Sequence, residues 1–266
     1  MNYPEVTRLL EELLVGVQAI LAEQFVGMYL FGSLTSGDFD QESDVDVLIV
    51  TSDEISSAHF PALEAMHAQL YAGESRWATQ LEVAYVPQQA LRRYDRTDAR
   101  HPHVDRGGAR LFMKQHDESW IVQRYILRQR GITVAGPAPQ TLIDPVSVGD
   151  LREAMVALLQ VWAADIFADP GQLKQWGNQP YVVLSLCRML YTLQHGAVVS
   201  KAEAARWAQK SLDKRWEGLI GRAWTGRLNP GAGATAEDVQ GTLEFMQFAL
   251  EQIPRHPERS PFLPSF

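Results

Sequence analysis

The sequence predicts an α+β chain in two parts, strands and helices in alternation followed by helices alone. Three observations carry this reading. Apolar runs of strand length fall at residues 26–31, 44–51 and 81–86, and the residues before and between them repeat at helical spacing. Gly136-Pro137-Ala138-Pro139 then closes the first part, because two prolines and a glycine this close together continue neither helix nor sheet. Beyond it the apolar patterns are helical. The expected division is 1–146 and 147–266, in a chain of 266 residues with 46% hydrophobic content, ample for a core.

Residues 6–25 carry apolar side chains at helical intervals and lead into the first core strand, 26–31. The second strand, 44–51, is aliphatic from residue 47 to residue 50. A helix at 58–71 connects it to a third strand at 81–86, where Leu81, Val83 and Tyr85 share one face and Glu82 takes the other. Residues 94–108 are polar and rich in Arg, His and Gly, which reads as a long loop near the site. A strand at 109–115, a helix at 118–130 ended by Gly131 and a short strand at 132–135 complete the first part. The second offers helices at 148–167, 180–194, 201–211, 215–228 and 236–253, and the proline-rich HPERSPFLPSF reads as extended.

The chemistry concentrates where the first strand ends and the second begins. YLFGSLTSGDFDQESDVDVLIV holds Gly32 and Ser33 at the end of one apolar run and Asp44 and Asp46 at the start of the next. A glycine there lets a ligand approach the backbone, and Ser33, opening a short helix, offers a hydroxyl and free amides to an anion. Asp44 and Asp46, two apart on a strand, face the same way, so their oxygens can share a hard cation such as Mg2+ and leave positions for phosphates. Gly-Ser alone is a common turn and Asp often only opens a strand, so the signal lies in the combination. Glu82 is the expected third acid. Its carboxylate sits in an apolar strand where burial is costly without a cation or hydrogen bonds, and beside the Asp pair it could take a proton from an attacking hydroxyl. The alternative is a glutamate on an edge strand facing water.

This arrangement resembles the nucleotidyltransferase superfamily, whose fold is like the palm of DNA polymerase beta. His116-Asp117-Glu118-Ser119-Trp120, Gly131-Ile132, Ala135-Gly136-Pro137, Asp144-Pro145-Val146, YVVLSLCR and SKAEAARWA narrow it. With them the chain is similar, over nearly its whole length, to the aminoglycoside 3''/9-adenylyltransferases and their relatives. The resemblance implies a nucleotidyltransferase domain with a mixed sheet flanked by helices, followed by an all-α helical bundle. It implies Mg-dependent transfer of AMP from ATP to a hydroxyl of a small molecule, foremost an aminoglycoside or aminocyclitol antibiotic. Asp44 and Asp46 would hold Mg2+, with Glu82 as base and as contact for a second Mg2+. Gly32 and Ser33 would hold the terminal phosphates. Arg188 of YVVLSLCR and Lys201 of SKAEAARWA would bind the phosphates that leave. The local pattern at Lys201 agrees: Ser200-Lys201-Ala202-Glu203 has the form of a capping box, so a helix begins there with its positive end and free N–H groups available to a triphosphate. The plainer reading of Arg188 is a surface arginine or an internal ion pair.

Composition narrows the partners. A net charge of -8, from 24 basic and 32 acidic residues, argues against a nucleic-acid substrate and would suit a cationic acceptor. No apolar run approaches the ~18 residues of a membrane span, and the first residues lack a signal-like pattern, so a cytoplasmic monomer is expected. The single cysteine, Cys187, excludes an internal disulfide framework and lies in an apolar helix, as a core residue would. His101, His103 and Asp105 read as solvated loop residues rather than a metal cluster. His116, Asp117 and Trp120 read either as a helix cap with a packed aromatic or as substrate contacts. The acceptor is the open point, because Gln175-Trp176-Gly177-Asn178-Gln179 is uncharged where the resistance enzymes carry acids. Another metabolite or a protein remains as acceptor, and a non-catalytic nucleotide-binding module is a third reading.

Overall fold

The computed structural model describes residues 3–175, 177–229, 231 and 233–253. The first part comprises α1 (Pro4–Leu21), β1 (Phe25–Leu30), α2 (Ser33–Ser36), β2 (Val45–Thr51), α3 (His59–Tyr71), β3 (Leu81–Pro87), α4 (Gln88–Arg92), β4 (Arg100–Val104), β5 (Phe112–Gln115), α5 (Ser119–Arg130), β6 (Ile132–Ala135) and α6 (Pro139–Leu142). The strands form one mixed sheet in the order β5-β4-β3-β2-β1-β6, with β2 and β3 parallel and the other neighbours antiparallel.

Strand alternation sorts the sheet into two faces. Val45, Val47 and Ile49 of β2, with Leu81, Val83 and Tyr85 of β3, pack under α1 and α3, where Leu9, Leu13, Val17 and Leu63 are fully buried or nearly so. Leu48, Val50, Ala84 and Val86 face the other way, against Leu91 of α4, Trp120 and Leu127 of α5 and Leu142 of α6. Asp46 and Glu82 share the parity of this second set. They therefore stand on the α5 side, one turn of the pleat before its core begins.

The segment read as a loop at 94–108 departs from expectation. Residues 100–104 form β4, paired through Val104 and His103 with β3 and along its length with β5, and His101 and His103 are 1% and 3% exposed rather than solvated. Pro102 within this strand donates no ladder hydrogen bond. It is accommodated because β4 has parted from β3 at that point and pairs there with β5 alone. Smaller differences lie at element ends: the strand expected at 109–115 shortens to β5, and the helix expected at 215–228 begins as a 3-10 turn, Lys214–Trp216.

The second part is helical throughout its described residues: α7 (Val148–Ala168), α8 (Asn178–His195), α9 (Lys201–Ser211), α10 (Glu217–Gly226) and α11 (Ala236–Glu251). Ser147 with Asp150 and Thr235 with Asp238 close reciprocal capping boxes that start α7 and α11. Leu159, Val183, Leu186, Ala204, Ile220, Phe245 and Met246 form the core around α8. Cys187 is fully buried there and its thiol pKa is pushed up to about 12 by burial, which makes it a packing residue. HPERSPFLPSF lies outside the described residues. No described helix is long and apolar enough to cross a membrane.

Two contacts join the parts beside the Gly-Ser segment. Asp40 pairs with Arg227, just past α10, and Asp38 Oδ2 accepts from the Ala202 N–H in the first turn of α9 at 3.2 Å. The loop between α2 and β2 therefore holds the helical part at one edge of the site.

Candidate active site

The site begins with a backbone requirement. Gly32 follows β1 at φ +65°, and a Cβ there would fall 1.9 Å from Asp46 Oδ2, so the loop and the carboxylate fit only with glycine between them. The Phe31 N–H donates to the Asp46 carbonyl at 3.2 Å, holding the end of β1 beside the start of β2. Ser33 opens α2 as expected, and its hydroxyl donates to the Asp44 carbonyl at 3.4 Å.

Parallel pairing brings the acids together. In the β2–β3 ladder Asp46 is the direct partner of Glu82, with Asp44 two residues earlier on the same side. The Asp46 pKa is raised to about 8, by burial first and by the charges of Glu82 and Asp44 next, against the opposing pull of Lys201 and Arg188. Asp44 is also raised, chiefly by burial, although Arg106 Nη1 lies 2.8 Å from its Oδ1.

Two cations face the acids from the helical part. Arg188, on α8, and Lys201, first residue of α9, are each partly withdrawn from water. The Lys201 ammonium is pushed down to about 8, by burial first and by Arg188 next, against the opposing pull of Asp44 and Asp46. The Arg188 pKa is lowered for the same reason. Lys201 Nζ also sits 4.4 Å above the Tyr181 ring, a cation–π contact that fixes its direction. One feature expected at α9 is only half formed. Ser200 Oγ accepts from the Glu203 N–H, but Glu203 is exposed and makes no return bond among those described, and Asp38 rather than a free site takes the Ala202 N–H.

The structure thus groups Gly32, Ser33, Asp44, Asp46, Glu82, Arg188 and Lys201 at one place. Sequence reasoning missed others beside them. His103 Nε2 lies 3.1 Å from Glu82 Oε1 and 3.2 Å from Asp105 Oδ1, and Lys114 Nζ lies 2.6 Å from that same Asp105 oxygen. Glu82, His103 and Asp105 present polar atoms all within 4.8 Å of one another, so His103 is packed among charged partners and not solvated. Alternation was the available signal: histidines at 101 and 103 share a face if the segment is a strand. His116 and Trp120 stack at 3.9 Å and are buried, while Asp117 accepts from the Ser119 N–H, which is the cap-and-packing arrangement. Of the uncharged segment, Asn178 donates to the Gln172 carbonyl, and the buried Gln179 donates to Thr242 Oγ1.

A mixed sheet bearing paired aspartates and a third acid on its central parallel strands, next to a Gly-Ser turn, defines a nucleotidyltransferase. Comparison with known families places it further. A family model described as "Nucleotidyltransferase domain" matches residues 17–104, and one described as "Aminoglycoside adenylyltransferase, C-terminal domain" matches residues 141–252. The chain is 23% identical over 269 residues to spectinomycin 9-adenylyltransferase of Campylobacter jejuni, covering 96% of this chain and 99% of the relative. It is 24% identical over 258 residues to aminoglycoside (3'') (9) adenylyltransferase of Escherichia coli, covering 94% and 95%. A crystal structure of spectinomycin adenyltransferase from Enterococcus faecialis with ATP and spectinomycin superposes with a TM-score of 0.73 at 16% identity, covering 92% of this chain and 99% of that one. The chain is an aminoglycoside adenylyltransferase-like nucleotidyltransferase, a polymerase-beta-type domain followed by the family's helical domain.

Proposed function

We propose that this enzyme transfers AMP from ATP to a hydroxyl of an aminoglycoside or aminocyclitol, the acceptors named for its relatives. The observation that carries the reading is Asp46 beside Glu82 on the parallel strand pair, with Asp44 adjacent and Arg188 and Lys201 within charge reach. These residues suit Mg2+. The donors are hard carboxylate oxygens, and the burial and mutual repulsion that raise the pKa of Asp46 are what a divalent cation relieves. Bound by Asp44 and Asp46, and at a second position by Glu82, Mg2+ would supply charge neutralisation for the triphosphate.

The chain's own residues do the rest. The bare backbone at Gly32 and the Ser33 hydroxyl receive the terminal phosphates, and Arg188 and Lys201 hold the pyrophosphate as its bond to the α-phosphorus breaks. Glu82 takes the acceptor's hydroxyl proton as the new oxygen–phosphorus bond forms. Catalysis here is mainly positioning and charge neutralisation. ATP lies between domains 1–146 and 147–266, in a cytoplasmic monomer. The uncharged side chains at 175–179 favour an acceptor with few amines, of the spectinomycin-like kind, over a polycationic one.

Incubation with labelled ATP, Mg2+, a panel of aminoglycosides and aminocyclitols, and cell lysate tests the reading. Pyrophosphate release that requires a small acceptor is the expected result. Label on protein would move the acceptor to a polypeptide, and no transfer under any condition would leave a nucleotide-binding module. Glu82→Gln should abolish turnover while ATP still binds; full activity removes Glu82 from the role of base.

A further inference from the structure

We propose that His103 is the positioning residue for Glu82, holding one carboxylate oxygen through its Nε2–H so that the other is presented to the acceptor hydroxyl. This rests on Glu82 being the base. His103 projects from β4 on the face of its register partner Ala84, which is also the face of Glu82 two residues back along β3. Its ring is 3% exposed and is walled by Phe112 and His116, at centroid distances of 6.2 and 5.8 Å, so its plane is fixed by packing.

The tautomer follows from the partners. Nε2 faces two carboxylates, Glu82 at 3.1 Å and Asp105 at 3.2 Å, with the Lys114 ammonium farther off at 3.4 Å and directed to Asp105 at 2.6 Å, whereas Nδ1 is buried with no hydrogen-bond partner. An Nε2–H satisfies the first and an Nδ1–H would donate to nothing, so the proton belongs on Nε2. Lys114 completes the arrangement. Its ammonium, 2.6 Å from Asp105 Oδ1, neutralises that carboxylate and leaves the imidazole donor to be shared with Glu82.

A glutamate has three torsions, and Glu82 is partly open to solvent, with 32% of its side chain exposed. Fixing Oε1 removes most of that freedom and points Oε2 along one direction, the kind of orientation on which proximity effects depend. Asp44 and Asp46 make no such contact with His103, so the effect should fall on the proton-transfer step and not on ATP binding.

The test compares His103→Leu, which keeps volume without a donor, with His103→Gln, whose amide can reach Glu82. Pyrophosphate release from ATP and Mg2+ is followed with spectinomycin, with streptomycin and with water alone as acceptor. We expect His103→Leu to lower kcat roughly 10- to 100-fold, the range of one lost hydrogen bond to a charged group, with KM for ATP changed less than about threefold and His103→Gln recovering much of the loss. A wild-type rate in His103→Leu, or equal losses in both variants with a raised KM, overturns the inference. Independently of turnover, long-range proton–nitrogen NMR of the wild-type protein should show His103 protonated at Nε2 and its signal displaced by Glu82→Gln. An Nδ1-protonated ring, or one indifferent to Glu82→Gln, also overturns it. Full activity of Glu82→Gln refutes the base assignment, whereas an inactive Glu82→Gln beside an unaffected His103→Leu refutes only the role of His103.

Discussion

Asp46→Asn should make the ligand-free enzyme more stable and catalytically dead. The Asp46 pKa moves from 3.8 to about 8 on folding, and each unit is worth ~1.4 kcal/mol, so keeping this carboxylate in place opposes folding by at most about 5–6 kcal/mol above the folded pKa. The sign follows from protonation. Well below pH 3.8 the acid is neutral in both states and costs nothing; from there to about pH 8 the unfolded chain ionises first, and stability falls as pH rises. Asparagine is uncharged at every pH. Because Glu82 and Asp44 carry part of the repulsion and remain, we expect the substitution to recover about 2 kcal/mol, or roughly 5 °C in Tm for a chain of this size. Thermal melts of both proteins in EDTA from pH 4 to 8.5 measure it. The melting curves should converge near pH 4 and separate toward pH 8, and added Mg2+ with ATP should erase or reverse the gap. A gap of the same size at pH 4 and 8, or no gap at pH 8, would refute the reasoning.

Gly32→Ala places a Cβ 1.9 Å from Asp46 Oδ2 at a positive φ; a loss of ~2 kcal/mol in denaturant unfolding and of nearly all adenylylation is expected, the strain and the displaced carboxylate acting together. Lys201, with its pKa pushed down to about 8, is charged below that pH and neutral above it. Wild-type ATP affinity, measured by calorimetry, should therefore weaken as pH rises from 7 to 9. Lys201→Met should bind ATP about 10-fold or more weakly with a flatter profile, consistent with the loss of one charge-assisted contact.

Gly32, Asp44, Asp46 and Glu82 were legible because their signals are local: a strand end, a two-residue spacing and a lone acid in an apolar run. Lys201 was legible from its place at a helix start. The network behind Glu82 was not. His103 lies in β4, whose Pro102 and flanking Arg and His residues carry no strand propensity, and the strand forms because β3 and β5 offer edges on both sides. Lys114 and Asp105 matter only through that tertiary pairing. Arg106 reaches Asp44 from the loop after β4, 62 residues along the chain, a distance no periodicity reports. The start of α9 shows the converse error, a correct helix start whose expected free N–H at Ala202 is taken by Asp38 arriving from the other part.

Among the described strand neighbours only β2 and β3 pair in parallel, and that has a consequence for how the chain tolerates alteration. Each contributes its acid from the second residue of the strand, so the two meet by register and not by any constraint from the residues joining them. The crossover through α3 can therefore gain or lose residues, or be cut in the exposed turn at residues 52–54, while Asp46 and Glu82 stay side by side. A slip of one residue in the ladder would instead turn Glu82 into the α1 core and separate the pair. Length is free where the chain crosses over, and pairing is not.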